Sequence, residues 1–186
     1  MQITFDTKPL NAIETDALVT YVFEDGDATQ GRIAELDQAT SGFLAKLIKS
    51  GEVAGKTLEM TLLHAPAGLK AARLLLVGAG KRDGFNGAAL RKIAGAALRY
   101  LKSRSIHGFA FAVRENGVTE EAAQALVEGF ITADFETDKY KTDKKNDKFI
   151  EKVSIAGYRD AEKAAAEKGI TRGRIIAESQ NFTRDL

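Results

Sequence analysis

Apolar and polar positions along the chain follow two rhythms, a period of two that marks strands and a period near 3.6 that marks helices. Ile3–Phe5 alternates with polar neighbours, and Ala17–Phe23 (ALVTYVF) is a β-branched and aromatic run stopped by turn residues at Glu24–Asp27. From Thr29 to Ser50 the spacing turns helical, with Leu36, Phe43, Leu44, Leu47 and Ile48 on one face. That stretch breaks near Thr40–Gly42, and Gly51 suits its C-terminal cap. Thr57–Ala65 reads as a strand ending at Pro66. Arg73–Val77 is a short continuous apolar run, fit for a strand buried on both faces, and Gly78-Ala79-Gly80 is expected to form the turn after it.

A helix is predicted over Asn86–Ser103. Leu90, Ile93, Ala94, Ala97 and Leu101 make its apolar stripe, with Arg91, Gly95, Arg99 and Lys102 opposite. His107–Val113 (HGFAFAV) is the next strand. Thr119 caps a helix to about Ala133, with Glu120 and Glu121 in the first turn, where the helix dipole favours acids. Asp134–Lys148 is polar and charged, and a protruding loop or hairpin is expected there. Phe149–Ala156 alternates and is expected at a sheet edge. A last helix starts at Arg159, with Gly169 and Gly173 as weak points. Strands alternating with helices of this length predict an α/β fold, a three-layer α/β/α sandwich on a mixed, mostly parallel sheet.

Composition narrows this. At 186 residues the chain is one domain, 1–186, long enough to bury about 70% of its unfolded surface. With 44% apolar and 28% charged residues it is no disordered chain. The absence of cysteine excludes a disulfide framework, a thiolate metal site and a cysteine nucleophile. Twenty-seven basic residues against 26 acidic leave a net charge of +1, so there is no general attraction to nucleic acid or anionic membrane. No run approaches the ~18 apolar residues of a membrane span. MQITFDTK lacks the pattern of a secretion signal, and a cytoplasmic location is expected.

Candidate chemistry is sparse. The two histidines, His64 and His107, fall in separate predicted strands, where packed or edge positions are the simpler reading than metal ligation. The acids at Glu24–Asp27 lack the spacing of a calcium loop. Ser105 lies two residues from His107, without a nucleophile motif around it. Gly78, Gly80 and Lys81 sit between a strand and a helix, the context in which backbone amides take an anion. They match neither the dinucleotide nor the P-loop pattern, so a tight strand-exit turn competes with a phosphate loop. Lys139, Tyr140, Lys141, Lys144 and Lys145 form a basic cluster with an aromatic side chain, a candidate contact for nucleic acid or for another subunit. Asp143 and Asp147 lie among them, which also fits a solvated loop.

Taken in order, the segments resemble the N-terminal domain of the leucyl aminopeptidase, or cytosol aminopeptidase, family. Thr15-Asp-Ala-Leu-Val19 is similar to its first long strand, and Arg73–Lys81 to its "rvllvGlGk" segment. Leu90–Leu101 resembles the alanine-rich helix that follows. Val127-Glu-Gly-Phe130 with Phe135, Tyr140-Lys-Thr142 and Lys144-Lys145 resembles "aeG...Y.F..yKt.kk". Gly173–Leu186 resembles the helix that leads into the catalytic domain. Ala133-Asp134-Phe135 departs from the family's Tyr-x-Phe. The same domain resembles a macrodomain, the ADP-ribose-binding α/β fold. Asp16–Val19 is similar to that fold's "DaIVN" stretch, although Thr20-Tyr21-Val22 replaces its asparagine-rich turn.

The resemblance implies a macrodomain-like, non-catalytic domain of a metallo-exopeptidase that removes N-terminal amino acids from peptides. The family's two divalent cations, manganese or zinc, and its catalytic lysine and arginine belong to a later domain. Its signatures VGKGxTFDSGG and NTDAEGRL are not found in this sequence, so no catalytic or metal residue carries over, no cofactor is expected in this chain, and the chain alone is expected to be inactive. The helix over about 159–186 then leads toward a catalytic domain, its partner. The implied role is assembly of a homo-oligomer, a hexamer in the family, and control of access for peptide substrates. The alternatives are binding of ADP-ribose or another phosphate ligand, and contact with DNA, which the domain makes in some bacterial relatives.

Overall fold

The central run Ala17–Phe23 is buried at every position, as a strand with helices over both faces must be. In the computed structural model, which describes residues 1–26, 28, 30–113, 117–135, 148–157 and 159–185, this run is β2. The other strands are β1 (Gln2–Asp6), β3 (Met60–His64), β4 (Arg73–Gly80), β5 (Gly108–Ala112) and β6 (Lys152–Ala156). The helices are α1 (Gly31–Ala39), α2 (Phe43–Ser50), α3 (Gly87–Ser103), α4 (Glu120–Asp134) and α5 (Lys163–Arg184). The strands form one sheet in the order β1-β6-β5-β2-β4-β3. Every neighbouring pair is parallel except β3 with β4, which is antiparallel.

Alternation within the strands builds two cores. Val19, Tyr21, Leu75, Val77, Phe109, Phe111, Val153 and Ile155 face a layer that includes Leu90 and Leu98 of α3 and Leu126 and Phe130 of α4. Leu18, Val22, Leu74 and Leu76 face Ile33 and Leu36 of α1 and Leu44 and Leu47 of α2. The rings of Phe109 and Phe111 meet Phe130 edge-on at 5.4 and 5.9 Å. Such pairs add about 0.5–1.5 kcal/mol beyond their buried area. Three layers result, as the alternation predicts.

Helix ends follow the local chemistry. Asn86 Oδ1 accepts the amides of Ala88 and Ala89 at the start of α3, and Thr119 Oγ1 accepts that of Ala122 at the start of α4. Gly42, with φ +79°, separates α1 from α2, and Gly51, with φ +80°, ends α2.

Three expectations are corrected. Phe149–Ala156 is no edge strand, because β6 lies between β1 and β5 and β1 takes the edge. Gly78-Ala79-Gly80 is no turn but the end of β4. The strand expected from Thr57 begins at Met60, because Leu58 turns the chain with φ +60°. Gly169 and Gly173, expected as weak points, lie inside an unbroken α5. A Cβ at either would lie 2.2 Å from the Glu120 carbonyl oxygen or 2.7 Å from that of Gln124, so bare backbone lets α5 press on α4.

Candidate functional site

In a parallel sheet with helices on both faces, ligands sit beyond the carboxyl ends of the strands where the winding reverses. Here the chain winds from β2 to β4 and crosses through α3 to β5 on the other side of β2. The reversal therefore lies between β2 and β5. Residues 114–116, which follow β5, are outside the described residues.

Aromatic packing crowds this end of β2. Phe85 stacks on Tyr21 with centroids 5.1 Å apart and meets Phe23 edge-on at 5.0 Å. The Arg82 guanidinium lies over the Phe23 ring, 4.6 Å from its centre. Asp25 Oδ1 accepts the Arg82 amide at 3.4 Å, tying the loops after β2 and β4 together. Asp27, the last acid of that turn, lies outside the described residues.

Gly78 and Gly80 serve close packing. The Gly78 amide donates to the Glu59 carbonyl and the Gly80 amide to the Gly55 carbonyl, at 2.7 and 2.8 Å. Their carbonyls accept the amides of Leu58 and Glu24. A Cβ at Gly78 would lie 1.8 Å from the Lys56 carbonyl oxygen. Gly80 has φ +73°, and a Cβ there would lie 2.5 Å from Thr57 Oγ1. Lys81 is exposed and borders a cavity of about 380 Å³ with Asp83, Phe85 and Lys92.

The histidines stay apart. His64 ends β3 opposite Arg73, and His107 Nδ1 donates to the Phe149 carbonyl at 3.0 Å. Lys139, Tyr140, Lys141, Lys144 and Lys145 lie outside the described residues. A two-cation centre needs several carboxylates converging on ions about 3.5–4 Å apart. Among the described residues no three His, Asp or Glu side chains gather where they could hold a metal ion, so these residues do not fit the implied cations.

Two polar hollows escape the sequence reading. One, of about 500 Å³, opens on β1, β6 and β5 and is lined by Asp6, Lys8, Glu14, Lys70, Lys152 and Ser154, among others. Its acids are already paired, Asp6 with Lys8 at 3.5 Å and Glu14 with Lys70 at 3.1 Å. The other, of about 370 Å³, runs between α3 and α4. Gly95, expected on the polar face of α3, is buried at its floor, where a Cβ would meet the Gly129 carbonyl oxygen at 3.2 Å. The legible signal for this groove is that α3 carries Arg91, Lys92, Arg99 and Lys102 without a single acid.

The strand order and the helical layers define a macrodomain-like α/β/α domain, and comparison with known proteins agrees. A variant of the Oceanobacillus iheyensis macrodomain superposes with a TM-score of 0.64 at 14% identity, over 95% of this chain and 92% of that one. A variant of tomato leucine aminopeptidase gives 0.74 at 18% identity, over 96% of this chain and 36% of that one. Residues 19–144 match the model of the cytosol aminopeptidase family, N-terminal domain. A probable cytosol aminopeptidase of Solibacter usitatus is 42% identical over 186 residues, which is all of this chain and 35% of the relative. The chain belongs to the cytosol aminopeptidase family and corresponds to its N-terminal domain. It spans 35% to 40% of the curated relatives it matches along its whole length.

Proposed function

We propose that the chain is the non-catalytic N-terminal domain of a leucyl aminopeptidase-like metallo-exopeptidase, serving oligomer assembly and access to the active site. The whole enzyme removes N-terminal amino acids from peptides in the cytoplasm, and its manganese or zinc ions are held by a separate catalytic domain. The observation that carries this reading is the family match at residues 19–144 in a chain that spans 35% of its relative from Solibacter usitatus. The outer face of α5 supports the assembly role. Ile175 and Phe182, two helical turns apart, are 62% and 68% exposed and offer an apolar pair for docking.

The ADP-ribose reading finds less support, because the amides of Gly78 and Gly80 are already bonded to backbone carbonyls. Among the described residues no helix is long and apolar enough to cross a membrane.

The test is an assay of the purified chain with a leucyl anilide and manganese or zinc. No release is expected, and turnover that survives further purification overturns the reading. For the assembly role, Ile175→Asp with Phe182→Asp in the full-length enzyme should give a smaller species in sedimentation. An unchanged size removes that role.

A further inference from the structure

The groove between α3 and α4 has an unbalanced charge. Arg91, Lys92, Arg99 and Arg184 line it with Thr132 and Gln180, and among the described residues no carboxylate lines it. In the hollow over β1 and β6, by contrast, Lys8 and Lys70 meet Asp6 and Glu14. Here Lys92 and Arg99 are exposed and have no carboxylate partner among the described residues. Arg91 is paired with Glu128, but the like charges of Lys92, Arg99 and Arg184 beside one hollow repel each other, and an anion between them removes that cost.

The groove is shaped as well as charged. Gly95 and Gly129 bring the two helices together, and with Ala96 and Ala133 they leave only small side chains on the floor. Glu128, buried beneath, holds Arg91 Nη1 at 2.9 Å and is itself held by Gln124 Nε2 at 2.7 Å. Arg91 is therefore fixed in place with further N–H donors to spare. Lys92 and Arg99 stand about 10 Å apart along the helix axis, at 1.5 Å per residue. That spacing fits several linked phosphates better than one. Three of the four cations are arginines, whose planar forks match phosphate oxygens in pairs.

We infer that this groove binds a short chain of linked phosphates, either free or as the tail of a nucleotide. The groove adjoins the cavity beside Lys81, with which it shares Lys92, and it does not depend on the assembly role.

Calorimetry on the purified chain, with inorganic triphosphate as the probe and ATP beside it, tests this. Binding is expected, weakening as salt rises. Lys92→Gln with Arg99→Gln should weaken it by roughly tenfold or more. Both side chains are exposed, so circular dichroism should show an unchanged fold. Lys46→Gln with Lys49→Gln, on α2, should leave the affinity unchanged. Tighter binding of ATP than of triphosphate assigns the groove to a nucleotide, and equal binding assigns it to the free phosphate chain. Silence at millimolar triphosphate overturns the proposal. So does an equal loss in both variants, citrate binding as tightly as triphosphate, or binding of duplex DNA without binding of triphosphate.

Discussion

Arg91 reaches across from α3 to α4 and places Nη1 2.9 Å from Glu128 Oε2. Glu128 is only 6% exposed, while the Arg91 side chain is nearly half exposed, so this pair is anchored on its acidic member. Arg91→Ala leaves a buried carboxylate with Gln124 alone and should cost about 1–2 kcal/mol, less than for a fully buried pair because water screens the arginine. Adding Glu128→Gln to that variant should restore part of the loss. Urea denaturation of Arg91→Ala, Glu128→Gln and the double variant measures both effects, and an additive double variant would show that the two side chains are not coupled.

The α4–α5 contact rests on bare backbone. Alanine is the better helix former by about 1 kcal/mol, yet Gly169→Ala should destabilise. Its Cβ would lie 2.2 Å from the Glu120 carbonyl oxygen and 2.7 Å from Ala123 Cβ. Overpacking of this kind costs about 1–3 kcal/mol. A fall in the thermal midpoint is expected, and a rise would mean that α5 sits further from α4.

Asp16 clips the start of β5 to β2. Its Oδ2 accepts the amides of Gly108 at 3.0 Å and His107 at 3.3 Å. Asp16→Ala should cost about 1 kcal/mol, because the site is exposed and water replaces part of what is lost. Hydrogen exchange gives the sharper readout. The His107 and Gly108 amides should exchange faster while those of Phe109 and Phe111 keep their protection.

At the start of α4, the Glu121 amide and then the Thr119 hydroxyl hold the Glu121 carboxyl below its usual range. A carboxyl depressed in the folded state stabilises the fold above its unfolded value, and that contribution disappears as pH falls through the folded value. Glu121→Gln should therefore lower the thermal midpoint at neutral pH, with a gap that closes on acidification. A gap that widens toward acid would contradict the assignment.

The elements themselves were legible because their periodicities are strong. Every residue of Ala17–Phe23 is buried, and the stripe Leu90, Ile93, Ala94, Ala97 and Leu101 faces the core. The caps at Thr119 and Gly51 could be read because each is a local interaction. Long-range facts were not legible. Alternation in Phe149–Ala156 cannot say that β1 will pair on its far side, and a glycine cannot announce which backbone it will touch. Gly78 looked like a turn residue for that reason, although its role is set by Lys56, more than twenty positions earlier. The α3–α4 groove was half legible. Its cations are on one helix, but Arg184 joins them from the end of α5 and only the fold brings it there.

The pairing of β1 with β6 has a consequence for how the chain is made. Gln2 is in register with Lys152, so about 150 residues must be synthesised between the two strands. At roughly 5–20 residues per second, β1 waits about 8–30 s on the ribosome for its neighbour. During that interval Ile3 and the unpaired strand edge are open to solvent, and a nascent-chain chaperone has a defined window in which to hold them.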